Sequence, residues 1–187
     1  MLPNRTINVW PVSNRGGLKA LAEITLADAV TIFPIKLVEG KHGLYLKMPR
    51  STKDTDKDQL TYNIRSWKAR AQLTEEVVKT YHVEQPWLLA FGDNEPIRLK
   101  YIVHPNNRNE NKEVASASIE INESIRVNGI RMFQLSEKTR LVTFPDRCYR
   151  EDDEYCFRRI FDFKNDWEKR ITAELWDAYD SLKMRRS

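Results

Sequence analysis

The 187-residue chain repeats itself, and the repeat constrains its fold more than any other feature. Ile24-Thr-Leu-Ala-Asp-Ala-Val-Thr-Ile-Phe-Pro-Ile35 lies over Ile119-Glu-Ile-Asn-Glu-Ser-Ile-Arg-Val-Asn-Gly-Ile130. Branched apolar residues coincide at 24/119, 26/121, 30/125, 32/127 and 35/130; Asp28 meets Glu123 and Lys36 meets Arg131. One extra residue in the second copy brings Leu46-Lys-Met-Pro49 onto Val142-Thr-Phe-Pro145. A further two-residue slip brings the segment Leu73 to Tyr81 onto Ile171 to Tyr179. The starts correspond more loosely, Ile7-Asn-Val-Trp10 with Ile97-Arg-Leu-Lys100. Three blocks in the same order, separated by short insertions, point to a tandem duplication.

Each copy has one grammar. A first strand leads to a polar turn, Ser13-Asn-Arg-Gly-Gly17 or Pro105-Asn-Asn-Arg-Asn109. A long second strand alternates from Ala20 to Leu26 and from Ser116 to Ile121, as a half-buried strand does. A short turn, a third strand, a hairpin and a fourth strand halted by proline follow, then a polar loop and an amphipathic helix. Ala69, Leu73, Val77 and Tyr81, and Trp167, Ile171, Leu175 and Tyr179, each form a spacing-four stripe that faces a sheet. The expected class is α+β. Two repeats, 1–83 and 97–187, each have about four antiparallel strands and a C-terminal helix and pack as an intramolecular pseudo-dimer. Residues 84–96 connect them, and their apolar Trp87-Leu-Leu-Ala-Phe91 run has to pack against something.

In the first copy, Leu18-Lys-Ala-Leu-Ala-Glu-Ile-Thr-Leu-Ala-Asp-Ala-Val30 is followed by Ile35-Lys-Leu-Val-Glu-Gly-Lys-His-Gly-Leu-Tyr-Leu-Lys-Met-Pro49. This succession resembles stage V sporulation protein G (SpoVG), the bacterial septation-regulator family, over roughly residues 5 to 83. That family carries a Lys-Ala … Ile-Thr-Leu-Asp strand, a Val-Ile-Glu-Gly … Gly-Leu-Phe turn and an Ala-Met-Pro strand end. Gly40, Gly43 and Met48-Pro49 stand in its order and spacing. Its Tyr-Arg-Asp and Pro-Ile after the Met-Pro loop are replaced here by Leu60-Thr-Tyr-Asn-Ile64. The second copy has Leu135 and Lys138 in place of the two glycines, and keeps only Pro145 of Met-Pro. Family members resemble short homodimers that bind DNA and RNA and regulate septation, capsule and virulence genes, with basic residues around the terminal helix involved. The resemblance therefore implies a covalent pseudo-dimer that binds DNA, RNA or both, with further homodimerisation left open.

The bare residues exclude more than they assign. Hydrophobic content of 41% supports a core, and a net charge of +4 is a mild basic bias compatible with nucleic acid. Met1 to Pro11 lacks an apolar leader run, and Trp87 to Phe91 is far short of the roughly 20 residues a membrane span needs, so a cytoplasmic protein without a membrane partner is expected. Cys148 and Cys156 fit neither a redox pair nor a zinc site; two reduced thiols, or a pair facing across a hairpin, are the open readings. His42, His82 and His104 are scattered, and residues 13–17 lack the Gly-Lys-Ser/Thr of a phosphate loop. Asp54, Asp56 and Asp58 lack the glycine and glutamate of a calcium loop. The expectation is a non-enzyme without cofactor or metal.

The cations are the better lead. Residues 1–83 hold 13 Lys/Arg against 8 Asp/Glu, whereas residues 84–187 hold 18 against 19. The candidate nucleic-acid residues are Lys41, Lys47, Arg50, Lys53, Lys57, Arg65, Lys68 and Arg70 in the first copy, with Arg147, Arg150, Arg158 and Arg159 in the second. Basic side chains on loops and at a helix entrance track phosphates without reading bases, or they are a solvated surface. Tyr45, Tyr62 and Trp67 are either half-buried aromatics or stacking surfaces for unpaired bases. The alternative function is a protein-interaction scaffold acting through the acidic second repeat and the 87–91 segment.

Overall fold

The structure, a computed structural model, describes residues 2–48, 62–83, 87–92, 96–106, 112–151, 154–159, 161–164 and 166–185; for 13–15, 62, 147–151, 154–159 and 161 only the backbone enters. Unit 1 runs β1 (Arg5–Arg15), β2 (Leu18–Leu26), β3 (Val30–Gly40), β4 (Gly43–Lys47), β5 (Tyr62–Ile64) and α1 (Trp67–Tyr81). The connector contributes β6 (Leu88–Phe91). Unit 2 runs β7 (Leu99–Pro105), β8 (Glu113–Ile121), β9 (Ile125–Gln134), β10 (Arg140–Thr143), β11 (Asp146–Glu151), β12 (Glu154–Arg159), β13 (Phe161–Phe163) and α2 (Trp167–Met184). The chain is α+β, with two main antiparallel sheets and two helices.

The two sheets obey the same pairing rules. Ile24 faces Ile32 and Ile35 faces Ala22 in sheet 1; Ile119 faces Val127 and Ile130 faces Ala117 in sheet 2. The register slips between Ala22 and Ile24, and again between Ala117 and Ile119, so the bulge is repeated along with the residues. Both β2–β3 and β8–β9 connections use left-handed backbone at non-glycine residues, Ala27 and Asp28 in one and Asn122 and Glu123 in the other. The first strands correct the sequence alignment: Ile7 faces Ile24 as Tyr101 faces Ile119, and Pro11 faces Ala20 as Pro105 faces Ala115. Trp10 therefore corresponds to His104 rather than Lys100. Ile97, Leu99, Tyr101 and Val103 alternate throughout, so the sequence pattern fits registers shifted by two or four residues equally well and could not choose between them.

One feature escaped the strand-and-helix grammar. β5 of unit 1 leaves its own sheet and pairs with β9, Ile64 against Ile125; β13 of unit 2 pairs with β3, Phe163 against Val30. Backbone bonds from Arg65 N to the Ser124 carbonyl and from Lys164 N to the Ala29 carbonyl continue each exchange. The units thus trade one short strand each at equivalent places, as an isologous dimer interface would. Three-residue strands are unstable alone, and here each completes a sheet edge in the other unit.

Burial follows from this arrangement. Ile7, Val9, Ala20, Ala22, Ile24, Ile32, Ile35, Leu37 and Leu46 point to the inner side of sheet 1, and Leu73 and Val77 of α1 are buried with them in the core. Ile119, Ile121, Val127, Ile130 and Met132 do the same in sheet 2 with Ile171 and Leu175 of α2. Each Val, Leu, Ile or Met among them contributes about 1.5–3 kcal/mol of burial, and each alanine less. Ser66 caps α1, its hydroxyl accepting from the Ala69 amide at 3.4 Å. Arg5, buried beneath α1, donates to both carboxylate oxygens of buried Glu76.

The connector is not a free apolar patch. β6 pairs with β1, Leu89 facing Ile7, and Trp87 and Phe91 pack against the core. Cys148 stands opposite Phe157 and Cys156 opposite Tyr149, so the two cysteines are not a cross-strand pair. Glu151 against Glu154 closes the β11–β12 ribbon.

Candidate nucleic-acid interface

The β3–β4 hairpin is built by its glycines. Gly40 faces Gly43 across the ladder, and Gly43 has φ of +108°, which costs other residues strain. A Cβ on Gly40 would stand 2.9 Å from the Tyr45 ring, so glycine there lets that ring lie back over the strand. Lys41 follows on the turn and is exposed. Lys47, exposed near the end of β4, stands directly opposite Lys36. Opposed like charges in an antiparallel pair are destabilising, their Cβ atoms being about 5 Å apart.

The other predicted cations have different surroundings. Lys68 and Arg70 are exposed in the first turns of α1, which has no acidic residue in its first turn. A helix N-terminus repels cations and attracts anions, so these two weaken the helix and favour a negative ligand. Arg65 is engaged instead: its guanidinium pairs with Glu120 across the exchanged strand, leaving the side chain half exposed. Arg126 also donates to Glu120, through Nε at 2.9 Å. Burial by itself would raise the Glu120 carboxyl, but the Arg126 hydrogen bond and the charges of Arg126 and Arg65 outweigh it and hold it below its ordinary value. Arg50, Lys53 and Lys57 lie outside the described residues, as does the aspartate run at 54–58. Arg147 stands opposite Arg158, Arg150 opposite Tyr155 and Arg159 opposite Asp146 on the β11–β12 ribbon.

Neither Lys36, Lys41, Lys47, Lys68 nor Arg70 has a carboxylate within ion-pair distance among the described residues. Unit 2 differs. Arg126 pairs with Glu120, Arg131 with Glu113 at 3.6 Å, Arg140 with Asp180 at 2.8 Å, and Arg170 with Glu174 at 2.7 Å. Arg140 also lies over the Trp176 ring, and Arg170 over Trp167.

Of the three aromatics singled out, Tyr45 is 47% exposed and Trp67 76% exposed, while the side chain of Tyr62 lies outside the description. Sequence reasoning missed Trp10 as a surface residue. It is 40% exposed on the outer side of β1, its ring 5.7 Å from Phe33 and edge-on to it. Strand alternation alone, with Ile7 and Val9 as the inward residues, would have placed it there.

Comparison with known proteins places the likeness in unit 1. The SpoVG family model matches residues 4–83, which is unit 1 from its first strand through α1. The putative septation protein SpoVG of Desulforudis audaxviator is 33% identical over 76 residues, covering 40% of this chain and 85% of the relative. This chain belongs to the SpoVG family. The SpoVG proteins of Finegoldia magna, 33% identical over 78 residues, and of Staphylococcus carnosus, 32% over 76, are covered to 70% of their lengths. No solved structure matches. The SpoVG match spans the hairpin with Gly40 and Gly43, Met48 and the candidate cations of unit 1. Among the described residues no helix is long and apolar enough to cross a membrane, and no cluster of His, Cys, Asp or Glu is placed to hold a metal.

Proposed function

We propose that this SpoVG-family protein is a non-catalytic, nucleic-acid-binding regulator in the septation class to which its relatives are named, working through the basic surface of unit 1. Unit 2 is a diverged second copy, and the chain is a covalent pseudo-dimer. The observation that carries the reading is Lys36 standing opposite Lys47 in a unit whose sequence is net basic. Lys36, Lys41, Lys47, Lys68 and Arg70 lack acidic partners among the described residues, whereas Arg126, Arg131, Arg140 and Arg170 of unit 2 each have one. Cations without acidic partners supply the electrostatic, sequence-independent part of phosphate binding. The acidic balance of residues 84–187 keeps that attraction on one half of the molecule.

The scaffold alternative loses much of its support, because the 87–91 segment is occupied in pairing with β1 and packing on the core. The test is fluorescence anisotropy of labelled oligonucleotides at two salt concentrations, with a Lys41→Gln/Lys47→Gln/Lys68→Gln/Arg70→Gln variant alongside. Salt-sensitive binding that the variant loses is expected. A folded wild-type protein that binds neither strand nor duplex at low salt would end this reading.

A further inference from the structure

The outer side of sheet 1 carries a row that crosses four strands. Trp10 faces Leu21, Leu21 faces Lys36, and Lys36 faces Lys47, so all four share one side of the sheet. With strands about 4.8 Å apart, the row runs for roughly 14 Å. The neighbouring row holds Leu18, Val38 and Tyr45. The surface is therefore two exposed aromatic rings, Trp10 near one end and Tyr45 beside the lysines at the other, joined by half-buried Leu21 and Val38.

Resting on the nucleic-acid reading above, we propose that this face seats an unpaired nucleic-acid strand, with bases stacked on Trp10 and Tyr45 and phosphates held by Lys36 and Lys47. Both rings are held in place before any ligand arrives, Trp10 edge-on against Phe33 and Tyr45 over Gly40. Rings fixed in this way lose little freedom when a base stacks on them. The opposed lysines weaken the hairpin they sit on, and an anion between them turns that repulsion into attraction. Charges of the other sign nearby are few: Glu39 is held by Lys19 at 2.6 Å, and Glu23 stands further along β2, opposite Asn8. A duplex keeps its bases stacked inside and presents mainly phosphates here, so the rings favour splayed bases.

Unit 2 is an internal control. At the corresponding places it has His104, Arg131, Leu141 and Thr143, and the arginine is neutralised by Glu113. The same backbone is there without the two rings and without the unmatched pair of cations.

The experiment titrates the full chain, and the variants Trp10→Ala, Tyr45→Ala, Lys36→Gln/Lys47→Gln and Lys68→Gln/Arg70→Gln, against a labelled single DNA strand, the same strand as RNA and its duplex. Trp10→Phe serves as the rescue, and thermal melts report folding. Each alanine variant is expected to weaken single-strand binding by about tenfold, with duplex binding little changed and Trp10→Phe close to wild type. The Lys36→Gln/Lys47→Gln variant keeps the apolar surface intact, so it tests the face even if an alanine variant fails to fold. It should lower the slope of log K against log salt by about 1.4 for a single strand. Single-strand binding that survives the sheet-face variants but falls with Lys68→Gln/Arg70→Gln would overturn this inference and leave the nucleic-acid reading standing. Equal loss of duplex and single strand on Trp10→Ala would also overturn it. Absence of all binding by the wild type at low salt would remove both.

Discussion

Where sheet 1 carries Lys36 opposite Lys47, sheet 2 carries Arg131 opposite Thr143, with Glu113 3.6 Å from the arginine. Where sheet 1 has Thr25 and Thr31 sharing a hydroxyl contact at 3.1 Å, sheet 2 has buried Glu120 between Arg126 and Arg65. The inner positions of the same strands hardly differ: Ile24, Leu26, Val30, Ile32 and Ile35 against Ile119, Ile121, Ile125, Val127 and Ile130, all buried. The inner face is constrained by packing density, which tolerates only apolar side chains of similar volume. The outer face is constrained by charge balance alone, and the two units have solved that differently. At these positions sheet 2 matches its arginines with acids, whereas sheet 1 leaves Lys36 and Lys47 opposed.

Breaking the ion pair that belongs to unit 1 alone should have the largest effect. Arg5→Leu strands Glu76 in the core and is expected to cost about 3 kcal/mol in urea denaturation. Arg5→Leu/Glu76→Leu should recover most of that loss, since unit 2 already has Leu99 at the position of Arg5. A double variant as unstable as the single would show that the pair is not what holds the site.

Next in size is Glu120→Gln, expected to cost about 2 kcal/mol near neutral pH because two guanidiniums lose their acid. The Glu120 carboxyl lies below its ordinary value of 4.5 in the folded protein, so its contribution is complete above that pH and is lost as pH falls through the folded value. Wild type and Glu120→Gln should therefore converge in stability on acidification below 4.5. Thr25→Val, at the matching place in sheet 1, should cost only about 0.5–1 kcal/mol, with no pH dependence.

A smaller effect belongs to the β2–β3 turn. Ala27 adopts φ of +46°, a strained choice for alanine, where unit 2 uses Asn122 and its side chain accepts from the Arg98 amide at 2.8 Å. Ala27→Gly should raise stability by about 0.5 kcal/mol, the relief of strain exceeding the entropy glycine adds to the unfolded chain. Thermal denaturation would register it, and a lower midpoint would contradict the strain argument.

An equally small change in stability comes with the largest proposed change in binding. Lys47→Glu converts the opposed lysines into an opposite-charge pair and should stabilise the hairpin by about 0.5 kcal/mol. It should also remove the single-strand binding proposed for that face. Stability and binding moving in opposite directions would mark the lysine pair as retained for a ligand rather than for the fold.

Much of this was legible in the residues. Branched apolar residues at period two on β2 and β8, and the spacing-four stripes of α1 and α2, are local signals that need no partner to be read. Gly40 and Gly43 announced a turn because few other residues tolerate the geometry there. The α+β class, the paired units and the family followed from these. The candidate cations were legible as a list but not as a surface. Arg65 could not be told apart from Lys68 until Glu120, 55 residues away, was seen beside it.

Tertiary structure alone decided the rest. The exchange of β5 and β13 involves three-residue strands whose partners lie in the other unit, and no period can be read from three residues. The first strand of unit 2 took its register from cross-strand contacts with β8, four residues later than the sequence alignment placed it. Opposition of Lys36 to Lys47, and the presence of Trp10 in the same row, depend on pairing register across β1 to β4. Sequence sets which residues prefer to be buried, because burial is a property of the side chain and its period. Which exposed residues stand side by side is a property of the pairing between strands, and that is settled only when the chain has folded.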